Sequence, residues 1–341
     1  ALLFPMRKEK TLFSAKVIIP LVLIIVLAVF IFWNFYTPEM QRNELVLKMT
    51  ANISYSNTIP ILSEGDSALP SNLSVVTYNI PSDFPTQEVL AIGISETYSL
   101  QTDKFGNVYK KLIFQEPMIG DNSYSLWAVV EVLPIEFEIN PSSIGDIEGV
   151  LPEYREASAM IQSDSPSILL LAEEITKGSE TEFDEAIDIT HWVYNNISYD
   201  SAYINITKDA LWTYENRVGV CTEYSHLTIA LMRARGIPAR IAYGAAPYDY
   251  PAGWLAHTWV EAYFNGTWYP FDPTWDLAGQ LDATHIKMAS LPDQSYVFIN
   301  VSLSGIDIDL GSLEQSKLQV EIINSEEESP KLDWEILRKL A

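Results

Sequence analysis

Residues 219–226 read GVCTEYSH and contain Cys221, the only cysteine among the 341 residues. A chain with one thiol cannot form an internal disulfide, so Cys221 is either a reactive thiol or a small buried apolar residue. Apolar residues recur at helical spacing after it and stop before Gly236. Cys221 is therefore expected at the N-terminus of a helix, where the helix dipole and free N–H groups favour a thiolate and can stabilise a neighbouring oxyanion.

A thiolate nucleophile needs an imidazole partner, and the segments 255–264 and 267–272 supply one on a predicted hairpin. Both segments flank Asn265-Gly266, the residue pair most typical of a two-residue turn. With that turn, His257 and Asp272 lie on the same face as diagonal neighbours, at a distance that an imidazole and a carboxylate can bridge. A proline follows Asp272 and ends the strand there. A turn one residue longer would move Asp272 to the opposite face.

Other polar residues near these segments are expected to have structural roles. His226 would project about 140° away from Cys221 on the helix, so His257 is the preferred base. Glu223 lies in the first helical turn, where a carboxylate favours the helix dipole. Arg240 is expected to form a structural ion pair.

No metal and no cofactor are expected. His191 and His285 have no partner at the spacing of a zinc ligand. Asp103–Asn107 is interpreted as a hairpin turn, because a calcium loop would need more carboxylates at alternating positions.

Three blocks follow the GVC motif: RARGIPAR at 233–240, HTWVE at 257–261 and WYPFDPT at 268–274. In order and spacing they resemble the core of the transglutaminase-like superfamily, over roughly residues 180–290 of this chain. The segment from about 80 to 114 is similar, less distinctively, to the β-rich domain that often precedes this core in microbial members. The resemblance implies an α+β fold class with a papain-like core.

The resemblance also implies a Cys-His-Asp triad. Cys221 would be the nucleophile, His257 the general acid and base, and Asp272 the carboxylate that orients the imidazole. The side chain that stabilises the oxyanion stays open. Trp192 and Trp212 are candidates, although the core is the favoured place for each of them.

Two tryptophans are candidate substrate-binding residues. Trp254 matches a tryptophan that helps to wall the substrate tunnel in animal transglutaminases. Trp259 projects from the same face of the predicted hairpin as His257.

The charge distribution predicts an acidic protein anchored in a membrane. The formal net charge is −24, although residues 1–16 are basic. So acidic a chain would repel nucleic acid, which excludes that class of partner. Residues 17–36 carry no charge and are numerous enough to cross a bilayer as a helix, with the N-terminus inside. A cleavable signal peptide is the alternative, but bulky aromatic residues stand where a small-residue cleavage site would be needed.

Sequons of the type Asn-x-Ser/Thr become meaningful outside a cell. Six are candidate glycosylation sites, at Asn52, Asn72, Asn196, Asn205, Asn265 and Asn300.

These signals divide the chain into five parts. A cytoplasmic basic tail (1–16) precedes a transmembrane signal anchor (17–36) and a β-rich, sandwich-like extracellular domain (37–150). The catalytic domain (151–290) begins where helical periodicity replaces strand-like segments, and C-terminal strands with an acidic tail follow (291–341).

The chemistry implied by the triad is attack of the Cys221 thiolate on an amide carbonyl, which gives a thioester. Water would complete a hydrolysis, and a lysine-type amine would complete a cross-link. We expect a membrane-anchored extracellular cysteine enzyme that cleaves peptide or amide bonds of a protein or peptide substrate. The alternatives are protein cross-linking by the same triad and a non-catalytic cell-surface module with a structural or binding role.

Overall fold

The computed structural model describes most of the chain between residues 45 and 328, and these described residues belong to one compact unit. The described ranges are 45–61, 73–78, 81–114, 120–135, 141–204, 206–249, 253–294, 299–303, 306–308 and 317–328. The predicted basic tail (1–16) and anchor (17–36) lie outside them. Within these ranges no helix combines the length and the apolar character that a membrane crossing requires.

Six strands open the described part of the chain. They are β1 (Leu45–Ile61), β2 (Leu73–Thr77), β3 (Gln87–Ile94), β4 (Thr97–Thr102), β5 (Val108–Phe114) and β6 (Gly120–Val132). All six strands lie within the segment 37–150 that was predicted to be β-rich. The predicted turn at Asp103–Asn107 is confirmed, since the Asp103 carboxylate accepts hydrogen bonds from the backbone N–H groups of Phe105 and Asn107.

Four α-helices and ten further strands follow among the described residues. The helices are α1 (Pro166–Ile175), α2 (Glu182–Asn196), α3 (Ala210–Asn216) and α4 (Cys221–Ala234). The first five strands are β7 (Ser198–Tyr199), β8 (Val218–Gly219), β9 (Ala239–Asp249), β10 (Gly253–Phe264) and β11 (Thr267–Asp272). The others are β12 (Leu277–Ala278), β13 (Ile286–Leu291), β14 (Ile299–Leu303), β15 (Ile306–Ile308) and β16 (Lys317–Glu328). This mixture of helices and strands agrees with the predicted α+β class.

Three antiparallel sheets contain all of these strands except β7 and β8, which pair with each other in parallel. The first has the order β16-β1-β6-β3, the second β15-β14-β2-β5-β4 and the third β12-β11-β10-β9-β13. Strands from the C-terminal segment therefore complete the two sheets that the N-terminal strands begin, because β16 pairs with β1 and β14 pairs with β2. The first two sheets contact each other through an edge-to-face pair of rings, Phe114 on β5 and Tyr124 on β6.

The helix α4 packs against the third sheet. It contacts β9 and β10 on one side and α1, α2 and α3 on the other. Every residue from 223 to 233 is buried, as expected for a helix enclosed on all sides. On the neighbouring helix α2, Phe183 packs edge-on against Phe264 and Tyr269, which ties that helix to the same sheet.

The hairpin of β10 and β11 has the predicted register. Val260 pairs with Phe271 and Phe264 with Thr267, which leaves a two-residue turn at Asn265 and Gly266. Both turn residues have positive φ, 46° and 89°, as a type I′ turn requires. The prediction of a two-residue turn is confirmed, and with it the prediction that Asp272 shares the face of His257.

Candidate active site

Cys221 is the first residue of α4, and a buried carboxylate fixes the turn before it. Glu223 accepts hydrogen bonds from the backbone N–H groups of Val220 (2.9 Å) and Lys208 (2.8 Å). The Glu223 side chain packs directly on Gly219. Cys221 as a whole is partly exposed, but its thiol group is buried at the N-terminus of α4.

His257 and Asp272 are in direct contact. Nε2 of His257 lies 2.7 Å from Oδ2 of Asp272, and the Asp272 side chain is fully buried. The other carboxylate oxygen accepts the backbone N–H of Thr274 at 2.8 Å. Because Nε2 is engaged by Asp272, Nδ1 is the imidazole nitrogen left for the Cys221 sulfur.

The electrostatics of the three residues favour a thiolate–imidazolium pair. Burial opposes ionisation of Cys221, but hydrogen bonds from His257 and Thr258 outweigh it and lower the pKa of the thiol. Burial also disfavours the imidazolium of His257, yet the charge of Asp272 and the contact with Cys221 raise its pKa. For Asp272, burial is outweighed by the two nearby histidines, His257 and His285, and its pKa is held far below the usual range. The structure thus brings the three predicted residues together, and their catalytic roles stay a prediction.

Aromatic rings enclose the imidazole of His257. Trp275 stacks on it with ring centroids 4.6 Å apart and planes inclined by 10°. Trp259, a predicted substrate-binding residue, lies 6.1 Å from the same ring and packs edge-on against His285. Sequence reasoning missed Trp275, although it directly follows the block at 268–274.

Trp254, the other predicted substrate-binding residue, borders a different space. It lines a cavity of about 500 Å³ together with Asn52 of β1 and Leu318 and Val320 of β16. A role of Trp254 in substrate binding stays a prediction.

His285 and Asp282 were not predicted to belong to this site. Nε2 of His285 lies 3.2 Å from Oδ2 of Asp272, and Nδ1 lies 3.3 Å from Oδ1 of Asp282. The sequence offered neither His191 nor His285 a partner at the spacing of a zinc ligand, and in the structure His191 contacts the carboxylate of Asp276. One sequence signal pointed to a partner for His285, because Asp282 lies three residues before it. The contact of His285 with Asp272, in contrast, depends on the fold.

One group of three potential metal ligands occurs within the described ranges, formed by His257, Asp272 and His285. Their ligand atoms lie within 4.8 Å of one another. The two imidazole nitrogens are directed at a single carboxylate oxygen by hydrogen bonds, rather than at a common point between the three atoms. We therefore interpret the group as a hydrogen-bonded chain.

Arg240 has the structural role predicted for it. Its Nε donates to Oε2 of Glu261 at 2.8 Å, and its guanidinium lies over the Trp268 ring at 3.9 Å. Lys287 contacts the other carboxylate oxygen of Glu261. His226 is likewise structural, because its ring is fully buried and contacts the backbone carbonyl of Lys208.

The candidate oxyanion donors lie among other side chains. Trp192 packs beneath the Arg217 guanidinium, and Trp212 packs against Tyr203. Tyr199 is a new candidate, because it pairs with Gly219 in the β7–β8 ladder, two residues before Cys221. Burial, together with the nearby negative charge of Cys221, raises the pKa of Tyr199, so its hydroxyl stays protonated and able to donate.

The sequons fall in different surroundings, and glycosylation stays a prediction. Asn196 ends α2 and Asn265 occupies the hairpin turn, and both are exposed. Asn52 is partly buried within β1, and Asn300 lies in β14. Two further sites lie outside the described residues, at Asn72 and Asn205.

The family comparison agrees with this geometry. Residues 170–273 match the model of the transglutaminase-like superfamily. The chain carries a transglutaminase-like core. This core spans α1 to β11 and includes Cys221, His257 and Asp272.

Two curated relatives resemble parts of the chain. YebA of Bacillus subtilis is 27% identical over 123 residues, which are 30% of this chain and 17% of YebA. The protein ML0607 of Mycobacterium leprae is 27% identical over 95 residues, which are 25% of this chain and 33% of that protein. The matched segments thus cover a third or less of either relative.

A solved structure shares the fold over more of the chain. It is a protein from Cytophaga hutchinsonii whose proposed class is cysteine protease. The TM-score is 0.62 at 22% identity, over 84% of this chain and 94% of that chain. The likeness extends beyond the transglutaminase-like core and therefore includes strands of the first two sheets.

Proposed function

We propose that this chain is a cysteine enzyme that cleaves peptide or amide bonds through a thioester on Cys221. The observation that carries the proposal is the 2.7 Å contact between His257 Nε2 and Asp272, which leaves Nδ1 for the sulfur at the N-terminus of α4. Support comes from the directions of the pKa shifts, lowered for Cys221 and raised for His257, since both favour the charged pair.

The first half of the reaction forms the thioester. The Cys221 thiolate attacks the amide carbonyl carbon, and the carbonyl electrons move to oxygen. The backbone N–H of Cys221 and the hydroxyl of Tyr199 are the proposed donors to this oxyanion. When the oxyanion collapses, the C–N bond breaks and the His257 imidazolium gives its proton to the leaving amine.

The second half regenerates the enzyme. A water molecule gives a proton to neutral His257 as its oxygen attacks the thioester carbonyl. Collapse of this second oxyanion expels the Cys221 thiolate, and a carboxylic acid leaves. Asp272 stays ionised throughout and keeps the imidazole oriented. A primary amine in place of water would give a cross-linked amide by the same steps.

A glutaminyl peptide tests the proposal when it is supplied with and without a primary amine. Ammonia release reports thioester formation in both reactions, and the mass of the peptide product separates hydrolysis from amine incorporation. We expect ammonia release without added amine, and its loss in the Cys221→Ala variant. If amine incorporation is faster than hydrolysis, the proposed activity becomes cross-linking instead of hydrolysis. An absence of both, with a thiol that reacts like free cysteine, would favour a non-catalytic surface module.

We also propose that residues 17–36 anchor the chain in a membrane, with the acidic part outside. The support is the uncharged run of 20 residues behind a basic segment. Carbonate extraction of membranes tests the anchor. The full chain should stay in the membrane pellet, whereas a variant that lacks residues 1–36 should be released. Release of both proteins would contradict the proposal.

A further inference from the structure

The buried carboxylate of Asp272 lies between two imidazoles. His257 contacts Oδ2 at 2.7 Å and His285 contacts the same atom at 3.2 Å, while the backbone of Thr274 holds Oδ1. The side chains of Asp272 and His285 are 0% and 2% exposed, so water does not compete for these contacts. A Cys-His-Asp mechanism uses one of these imidazoles and leaves His285 without a role.

The far side of His285 meets a second carboxylate. Its Nδ1 lies 3.3 Å from Oδ1 of Asp282, and the backbone N–H of Thr284 donates to that oxygen at 2.9 Å. Both nitrogens of His285 therefore face carboxylate oxygens. Since a neutral imidazole has one donor and the imidazolium has two, only the charged form can donate to both.

The groups around His285 form a chain of alternating charge. Starting from the nucleophile, its members are Cys221, His257, Asp272, His285 and Asp282.

Uncharged rings surround this series of charged groups, because Trp259 and Trp275 pack edge-on against His285. A cavity of about 530 Å³ opens on the Asp282 side, and Lys287, Arg240 and Glu261 are the other charged residues of its lining. Glu261 contacts both of those cations, so the carboxylates nearest to His285 are Asp272 and Asp282.

We propose that His285 and Asp282 form a positioning pair for the triad: they fix the Asp272 carboxylate so that it holds the His257 imidazole against Cys221. The inference rests on the proposed function and adds two residues to its machinery. Neither residue touches the reacting atoms. Without His285, Oδ2 of Asp272 keeps a single side-chain donor in a dry environment, where a less well solvated carboxylate takes up a proton more easily. A neutral Asp272 would support the imidazolium, and hence the thiolate, less strongly.

The test is the pH profile of Cys221 alkylation by iodoacetamide, measured on the wild type and on His285→Gln. Gln can still donate to Asp272, but it carries no charge and cannot bridge to Asp282. We expect the midpoint of the profile to rise by about one pH unit, so that alkylation slows by about tenfold at pH values below the wild-type midpoint. Asp282→Asn should shift the midpoint in the same direction by a smaller amount, because His285 remains on Asp272.

The possible outcomes separate this inference from the proposed function. If the wild-type thiol titrates like free cysteine, the proposed function fails and the positioning pair fails with it. If the wild type is activated and both variants follow its profile, or move to lower pH, the positioning pair alone is overturned. A lower melting temperature with an unchanged profile would also overturn it, because it marks a purely structural role.

A measurement on the wild type covers the case in which the variants do not fold. The chain has four histidines, so ¹⁵N-labelled imidazoles can be followed individually by NMR. Assignment uses His191→Gln, which alters an exposed ring on α2. Two imidazoles should remain doubly protonated at pH 8, those of His257 and His285. Observation of His285 as a neutral tautomer at that pH would overturn the positioning pair.

Discussion

A Cβ atom added to Gly219 would lie 2.3 Å from the Cβ of Glu223, a distance that real Cβ contacts do not reach. The turn before Cys221 and the carboxylate that caps α4 are therefore packed with no room between them. Only glycine permits this approach, because any side chain would displace Glu223 from the N–H groups of Val220 and Lys208. The glycine of the GVC motif thus serves to place the nucleophile.

Gly219→Ala should destabilise the protein and disturb the thiol together. We expect the free energy of unfolding to fall by about 1–3 kcal/mol, the usual cost of overpacking, as measured by denaturant titration. The rate of Cys221 alkylation should fall as well. Gly178→Ala is the matched control, because a Cβ there meets no atom within 4 Å. Equal stability of the two variants would show that the Glu223 cap adapts freely.

The reactivity of Cys221 should depend on His257. The pKa of the thiol is lowered and that of the imidazole is raised, so the charged pair exists between those two values. Activity should therefore rise with pH as the thiol ionises and fall again when the imidazolium loses its proton.

In the His257→Gln variant Cys221 stays buried but loses the imidazolium charge that stabilises its thiolate. Iodoacetamide labelling at pH 6 should then slow by at least about tenfold. His191→Gln should leave labelling unchanged, since that imidazole is exposed on α2. Equal labelling of His257→Gln and the wild type would contradict the ion pair.

The buried cluster of Glu261, Arg240 and Lys287 should contribute strongly to stability. Burial would raise the pKa of Glu261, but Lys287 and Arg240 hold it at about 2. The stability from this carboxylate is present above its unfolded pKa of 4.5 and is lost as the pH falls towards 2.

Glu261→Gln leaves two cations without their counter-charge. At neutral pH we expect the free energy of unfolding to fall by about 3–5 kcal/mol, and its dependence on pH between 4.5 and 2 to flatten. Glu153→Gln breaks the exposed pair with Lys104 and should change the free energy of unfolding little, because solvent screens that pair. Similar losses in the two variants would mean that the buried cluster is as weak as a surface pair.

Tyr199→Phe tests the proposed oxyanion donor. Loss of the hydroxyl should lower kcat for a peptide substrate by about 10²-fold and leave KM nearly unchanged, because the oxyanion exists only after attack. The alkylation profile of Cys221 should keep its midpoint, since His257 is intact. Tyr98→Phe is the control, because that ring is exposed on β4 in another sheet. A fall in kcat below about threefold would assign the oxyanion to other donors.

The part of the site that local patterns encode could be predicted from the sequence. The Asn265-Gly266 turn determines the register of β10 and β11, and that register alone places Asp272 beside His257. The helix after Cys221 could equally be predicted, because the periodic apolar residues of that segment end at a glycine. In both cases the residues that decide the geometry are close in sequence.

The remaining features depend on contacts that no local pattern encodes. His285 reaches Asp272 only because β13 pairs with β9, on the far side of β10 from β11. Trp275 stacks on His257 because the chain turns back directly after Asp272. Likewise, β1 carries few markers of its own and is defined by β6 and β16, of which β16 lies more than 250 residues later.

The strand order of the first sheet has a consequence for synthesis of the chain. The β10–β11 hairpin can form as soon as Asp272 has been made, whereas β1 receives its second neighbour only when Lys317–Glu328 emerges. Pairings across such long separations are slow to form. The residues around Cys221 can therefore fold on the ribosome while one edge of β1 is still unpaired. A chaperone that covers this edge would protect the nascent protein from aggregation.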